Sequence, residues 1–168
     1  MVASNHRKGA ASETTAALFI SETTAADPAV RALIARHKAF CVDETPDGSG
    51  HAVTLETVGV DGIRYWLAKA DGNALGCIGL LGIDDTHSEL KTMHVLPQAR
   101  GRGVGAALVR AALGAARRSG ASRVSLETGS SEGFAASRCL YTREGFTPCA
   151  PFGDYVSDPF SYCMTTAL

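Results

Sequence analysis

Arg100-Gly101-Arg102-Gly103-Val104-Gly105 stands between an alternating stretch, Glu89-Leu-Lys-Thr-Met-His-Val95, and a long amphipathic one from Gly103 to Ser119. Alternation of period two predicts a strand before the hexapeptide. Val104, Leu108, Ala111, Ala112 and Ala115 on one side predict a helix after it, with Arg117 and Arg118 suited to its C-terminal end. Glycines at a helix entrance let the main chain come close to a ligand. The unpaired N–H groups of a first helical turn favour an anion there. A pyrophosphate is the guest this segment fits. Seven of the 16 Lys and Arg residues fall between Lys91 and Leu126, a window with no Asp or Glu; the other nine face 17 carboxylates, a balance of −8. A cationic third in an otherwise acidic chain suits a multiply charged ligand, although a solvated basic helix face would give the same window.

Elements on both sides follow from local pattern. Arg64-Tyr-Trp-Leu-Ala-Lys69, the turn Asp71-Gly-Asn73 and the apolar run 74–83 read as a hairpin, with Trp66 and Tyr65 as packing residues. Asp84-Asp-Thr86 turns the chain into 89–95, which makes a three-strand antiparallel meander. Upstream, Ala17-Leu-Phe-Ile20 predicts a first strand. Asp27 as N-cap and Pro28 at the first helical position open a helix to about Val42, with Val30, Leu33, Ile34 and His37 on its apolar-leaning face. Residues 45–50 break it, and a short helix is expected near Leu55. Downstream, 123–127 is a buried strand, 133–144 an amphipathic helix stopped by Gly145, and 146–148 and 161–165 the closing strands. The expected fold class is α/β (α+β-like): a mixed, mostly antiparallel sheet flanked by helices, in one domain over 16–168 behind a flexible tail, 1–15.

Composition narrows the function classes. The chain has 168 residues, 45 % hydrophobic and 20 % charged, with a net charge of −1. That is an ordinary globular balance with no global field for nucleic acid or an anionic membrane. No apolar run nears the roughly 20 residues of a membrane span. The polar start of the chain has no signal core, so a cytoplasmic protein is expected. Cys41, Cys77, Cys139, Cys149 and Cys163 form no CxxC pair and are expected as reduced, core-filling thiols. Neither they nor His37, His51, His87 and His94 have metal-ligand spacing, so no metal is expected.

Two nucleotide motifs compete for the hexapeptide. Gly101-x-Gly103-x-x-Ala106 fits the dinucleotide fingerprint, with Glu127 as its later carboxylate. That fingerprint needs its first glycine directly after a strand of a βαβ unit, whereas Leu96-Pro-Gln-Ala-Arg100 intervenes here. A P-loop is excluded because the chain has no Gly-Lys-Ser/Thr.

Arg100-x-x-Gly103-x-Gly105, preceded by Val95-Leu-Pro97, looks like the Gln/Arg-x-x-Gly-x-Gly/Ala motif of the GNAT superfamily of CoA-dependent N-acetyltransferases. Leu140-Tyr-Thr-Arg-Glu-Gly-Phe146 looks like the Leu-Tyr-x-x-x-Gly-Phe element of the same superfamily. By element order the resemblance spans roughly residues 18–168. Glu89-Leu-Lys-Thr-Met93, Leu126-Glu-Thr-Gly129 and Pro151-Phe-Gly-Asp-Tyr155 followed by Asp158-Pro159 are similar to words found in small bacterial GNAT proteins of poorly defined substrate.

The resemblance implies acetyl-CoA as co-substrate and an amine as acceptor. It implies that the main chain of Met93, His94 and Val95 pairs with the pantetheine arm, the Val95 N–H polarising the acetyl carbonyl. Main-chain N–H groups of Arg100, Gly101, Arg102, Gly103, Val104 and Gly105 would hold the pyrophosphate. Tyr141 would protonate the departing thiolate. Glu89, eleven residues before Arg100, stands where one branch of the superfamily keeps a catalytic base; an ion pair with Lys91 accounts for it equally well. Many members carry Asn seven residues before the tyrosine, where this chain has Phe134.

His51, Asp154 and Tyr155 are candidates on the acceptor side, and His51, His94 and bound water are alternatives to Glu89 as base. The acceptor is a small-molecule or peptide amine, with no nucleic acid or membrane partner. A homodimer is common among such proteins. The acidic remainder leans toward a cationic acceptor. A non-catalytic acyl-CoA sensor and a nucleotide-dependent oxidoreductase are the competing functions.

Overall fold

The structure, a computed structural model, describes residues 17–44 and 62–168. The expected N-terminal tail, the helix near Leu55 and His51 lie outside the described residues. In chain order the elements are β1 (Phe19–Thr23), α1 (Pro28–Glu44), β2 (Arg64–Ala70), β3 (Asn73–Gly82), β4 (His87–Val95), α2 (Val104–Arg118), β5 (Arg123–Gly129), α3 (Ala135–Arg143), β6 (Thr147–Pro148) and β7 (Ser161–Ala167). They form a seven-stranded sheet in the order β1-β2-β3-β4-β5-β7-β6. Every neighbouring pair is antiparallel except β4 and β5, which run parallel because α2 carries the chain between them. This is the mixed, mostly antiparallel sheet that the element order predicted.

Local chemistry explains the boundaries. Asp27 Oδ1 accepts the Ala29 N–H at 2.8 Å, and Pro28 gives up a donor that the first turn leaves unpaired. Asp71 and Gly72 have φ of 48° and 77°, so the β2–β3 turn has both central residues left-handed, the twist a two-residue hairpin needs. β1 runs to Thr23, three residues beyond the expected end, because its register from Phe19↔Lys69 to Thr23↔Tyr65 keeps it paired. α3 starts at Ala135, after a 3-10 turn at Glu132–Phe134, rather than at Gly133. The Phe134 ring lies where a Cβ on Gly129 would be, which tightens that first turn.

Helices cover both faces of the sheet. Val30, Leu33 and Ile34 of α1 pack on Tyr65, Leu67 and Cys77. Val104, Leu108 and Ala112 of α2 pack on Trp66, Ala68, Ile78, Leu90 and Leu126. Alternate residues of β2 thus go to different helices, which is why its sequence is a continuous apolar run rather than an alternation. α2 also buries Val109, Leu113 and Ala116, a wider stripe than its periodicity suggested. The cysteines are free thiols; Cys41, Cys77 and Cys163 are buried, but Cys139 is exposed, against the expectation of core filling. It lies two residues before the buried Tyr141 and so points off the opposite side of α3.

Candidate active site

The site is a wedge between β4 and β5. Their parallel pairing runs from His87↔Arg123 to Leu90↔Leu126 and stops there, although both strands continue. A bulge starts the separation. Cys77↔His94 and Gly79↔Lys91 are partners, so Ile78 stands opposite two residues, Thr92 and Met93. Thr92 adopts φ +41°, a strained value for a β-branched residue. Beyond the bulge the Leu96 N–H bonds to Leu75 O at 2.9 Å, which makes Gly76↔Val95 a non-hydrogen-bonded pair. The Val95 N–H and C=O therefore turn away from β3, toward the gap that β5 has left. Gly76 is required beneath them, since a Cβ there would meet His94 O at 2.7 Å.

A cavity of about 820 Å³ fills the wedge. Its walls are residues 89–95 of β4, residues 127–129 of β5, the α2 entrance and one side of α3. The entrance is built by conformation. Gly101 and Gly103 have φ of +71° and +79°, and Gly103 is the N-cap of α2 with no side-chain cap bond. The first-turn N–H groups of α2 have no acceptor in their own helix, so an anion is the natural partner at that end. Gly105 is needed for packing, because a Cβ would press on Leu140 and Met93 at 3.0 Å. Arg100, Gly101, Gly103, Val104 and Gly105 all line the cavity, as do Arg110 and Arg143; Arg102 is exposed and is not part of the wall. The Arg100 Nε donates to Val95 O at 3.1 Å.

Tyr141 combines packing and cleft positions. It is 7 % exposed in the main core, edge-on to Phe146, and its hydroxyl donates to Met93 Sδ at 3.5 Å on the cavity wall. Burial pushes this phenol far above its ordinary value, so it keeps its proton throughout the neutral range. Its hydroxyl thus already faces a sulfur atom as donor.

Glu89 is 5 % exposed and also lines the cavity. Lys91 Nζ lies 2.8 Å from its Oε1, and the Tyr155 hydroxyl donates to the same oxygen at 2.7 Å. The ion pair and the cleft position, alternatives in the sequence, occur together. Of the other candidates, Tyr155 lines the cavity, whereas Asp154 is exposed and lies off its wall. His94 is 7 % exposed, with its ring centroid 6.1 Å from that of His37. Burial lowers both imidazoles, His37 to about 4, and they face the cavity uncharged at neutral pH.

The sequence assigned no functional role to Glu127 or Phe134 of the wall, nor to Arg138, which supports it. Glu127 figured there only as part of a rejected fingerprint; in the structure it lines the cavity and accepts from Ser161 Oγ at 2.8 Å. The available signal was a carboxylate inside an otherwise buried strand, since such a charge needs a reason to be there. Arg138 bonds the carbonyls of Gly129 at 2.7 Å and Ser131 at 2.9 Å, fastening the end of β5 to α3. Phe134 meets Phe40 of α1 edge-on at 5.1 Å and lines the cavity.

This architecture and sequence recur in known proteins. The model of the acetyltransferase (GNAT) family matches residues 30–146. The chain is 37 % identical over 142 residues to the uncharacterized N-acetyltransferase YedL of Escherichia coli K12, covering 84 % of this chain and 89 % of that one. A solved Klebsiella pneumoniae chain, assigned by name to the acyl-CoA N-acyltransferases, superposes with a TM-score of 0.75 at 26 % identity, over 90 % of this chain and 97 % of the other. A GNAT acetyltransferase from Elizabethkingia anophelis, solved with acetyl-CoA bound, shares the fold with a TM-score of 0.66 at 20 % identity, over 90 % and 98 % of the two chains. With a wedge opened by a β4 bulge, a glycine entrance to α2 and a family model spanning most of the described chain, the protein belongs to the GNAT family of acetyltransferases.

Proposed function

We propose that the chain transfers the acetyl group of acetyl-CoA to a primary amine within a ternary complex. The observation that carries this is the wedge itself: one cavity runs from the α2 entrance, along the open edge of β4, to Glu89. Its two ends differ in chemistry. The entrance offers main-chain N–H groups and the cations Arg100 and Arg143, with Arg110 held in a two-bond ion pair by Glu144, which suits the pyrophosphate of CoA. The edge between offers the outward N–H and C=O of Val95, which suits a pantetheine amide added like a strand. The far end offers a carboxylate, which suits the incoming amine. A protein of the same fold has been solved with acetyl-CoA bound, which supports acetyl-CoA as the co-substrate.

In the proposed reaction the acceptor enters as R–NH3⁺ and gives a proton to Glu89, directly or through water. The free amine attacks the thioester carbonyl, whose oxygen the Val95 N–H polarises. The tetrahedral intermediate expels the CoA thiolate, which the Tyr141 hydroxyl stabilises and protonates, and the second proton of the attacking nitrogen restores the phenol. The sum is R–NH3⁺ plus acetyl-CoA giving the acetamide, CoASH and one proton. The test is a panel of primary amines incubated with enzyme and acetyl-CoA, reading free CoA thiol and an acetyl mass increment on the amine. Binding of acetyl-CoA without thiol release from any amine would favour a sensor module.

A further inference from the structure

The loop between β6 and β7 holds the sequence Pro151-Phe-Gly-Asp-Tyr155 with Asp158-Pro159, which the transfer reaction leaves without a role. We propose that this loop exists to position the proposed base: the Tyr155 hydroxyl, with Lys91, fixes one oxygen of Glu89 and leaves the other to receive the proton of the acceptor amine. The inference rests on Glu89 as the proton acceptor of the proposed function.

The hydrogen bonds have only one consistent direction. Lys91 Nζ can only donate, and it reaches both Glu89 Oε1 at 2.8 Å and the Tyr155 oxygen at 2.9 Å. The Tyr155 proton must therefore go to Glu89 Oε1, at 2.7 Å. Burial and the adjacent Glu89 charge push the Tyr155 phenol well above its ordinary value, so it stays a donor over the working pH range. Oε1 is thus engaged by two donors, while Oε2 has no hydrogen bond among the described residues.

The rest of the motif holds the hydroxyl in place. The loop is pinned at both ends, by Cys149 N–H to Cys163 O at 3.0 Å and by Ser130 Oγ to Pro159 O at 2.7 Å. Phe160 N–H bonds to Asp158 Oδ1 at 2.7 Å. In the middle, Tyr155 N–H returns to Phe152 O at 3.0 Å across Gly153, whose φ of +55° favours glycine. Phe152 lies between the Tyr155 ring, at 5.1 Å, and the His87 ring, at 5.6 Å. His87 is itself fixed. Arg123 donates to its Nδ1 at 3.0 Å, so its proton is on Nε2, directed to Ser125 Oγ at 2.8 Å. A run of contacts thus leads from the paired halves of β4 and β5 to the phenol oxygen that meets Glu89.

The test is a carbon-13 titration of the Glu89 side-chain carboxyl in full-length protein labelled at glutamate Cδ, with the resonance assigned by its loss in Glu89→Gln. Tyr155→Phe keeps the ring and its contacts and removes the hydroxyl, which is both the donor to Glu89 and the acceptor of Lys91. The expected result is a Glu89 carboxyl that binds a proton about tenfold more tightly than in the parent, with a lower melting temperature at neutral pH, because stabilisation lost by the carboxylate is also lost by the fold. Lys91→Met removes the second donor to the same oxygen and should shift the titration in the same direction, which keeps the test open if one variant does not fold. A titration within twofold of the parent in both variants overturns the inference. Failure of the base itself reads differently: turnover unaffected by Glu89→Gln would remove the proton acceptor while leaving the titration result as it is.

Discussion

His37 gives the protein an acid sensitivity that can be worked out in advance. Its ring lies on the cavity wall, with Nε2 3.5 Å from Cys41 Sγ and the centroid 6.1 Å from His94. Burial, and secondly the His94 charge, lower it from 6.5 to about 4. Between those values the unfolded chain binds a proton that the folded chain refuses, so stability is full above pH 6.5 and falls as pH drops toward 4. Between pH 7 and pH 5 the loss is about 2 kcal/mol, from 1.36 kcal/mol for each pH unit below the unfolded value. Residual exposure of the ring makes this an upper figure. The perturbation is His37→Gln, which keeps a polar side chain of similar reach and removes the titration. Urea unfolding of both proteins at pH 7 and pH 5 is the assay. The parent should lose about 2 kcal/mol more than the variant across that interval. His87 is lowered by burial as well but remains in each protein and cancels in the comparison, whereas His94 is coupled to His37, so the difference between the proteins includes the loss of that repulsion. Glu22 and Asp84, whose carboxyls are held low by hydrogen bonds, give up their stabilisation only at more acid pH. Equal losses in parent and variant would show that His37 is protonated as readily in the folded state as in the unfolded one.

Gly103→Val should weaken acetyl-CoA binding at least tenfold by calorimetry, because a β-branched residue at φ +79° costs about 1–2 kcal/mol and relieving that strain turns the entrance N–H groups off the anion; unchanged affinity in the folded variant would move the pyrophosphate elsewhere. Tyr141→Phe should keep CoA affinity and lower kcat by about 10²–10⁴-fold, the range for a general acid; an unchanged kcat would reduce Tyr141 to a packing residue and leave protonation to water. Glu89→Gln should lower kcat with KM for acetyl-CoA nearly constant, and high pH should restore part of the rate by supplying free amine; parental kcat at every pH would transfer the base to His94 or to bound water.

Much of the fold was legible because the signals are local. Asp27-Pro28 states a helix start, Asp71-Gly72 a tight hairpin, and the alternation of 89–95 a strand, each through the φ/ψ that those residues favour. The hexapeptide at 100–105 carries the glycine conformation and the unpaired first-turn N–H groups on which the proposed pyrophosphate contact rests, and both are properties of the segment itself. Tyr65 and Trp66 could be read as packing residues, while the cover on both faces of β2 became visible only with α1 and α2 in place. Exact ends were less secure: Phe134 tucks against Gly129, five residues back, and delays α3 to Ala135.

The active-site geometry was decided only in three dimensions. No local pattern says that β4 and β5 pair for four residues and then part, because α2 separates them along the chain and packing alone sets their meeting point. Thr92 is an ordinary strand residue in sequence; its φ of +41° is imposed by Ile78 facing two residues at once. The Tyr155 hydroxyl and Glu89 lie 66 residues apart in the chain and 2.7 Å apart in space. Sequence determines which groups are present and the conformations they favour locally. Long-range burial, which brings the strand edge, the loop and the helix entrance to one cavity, determines which of those groups touch.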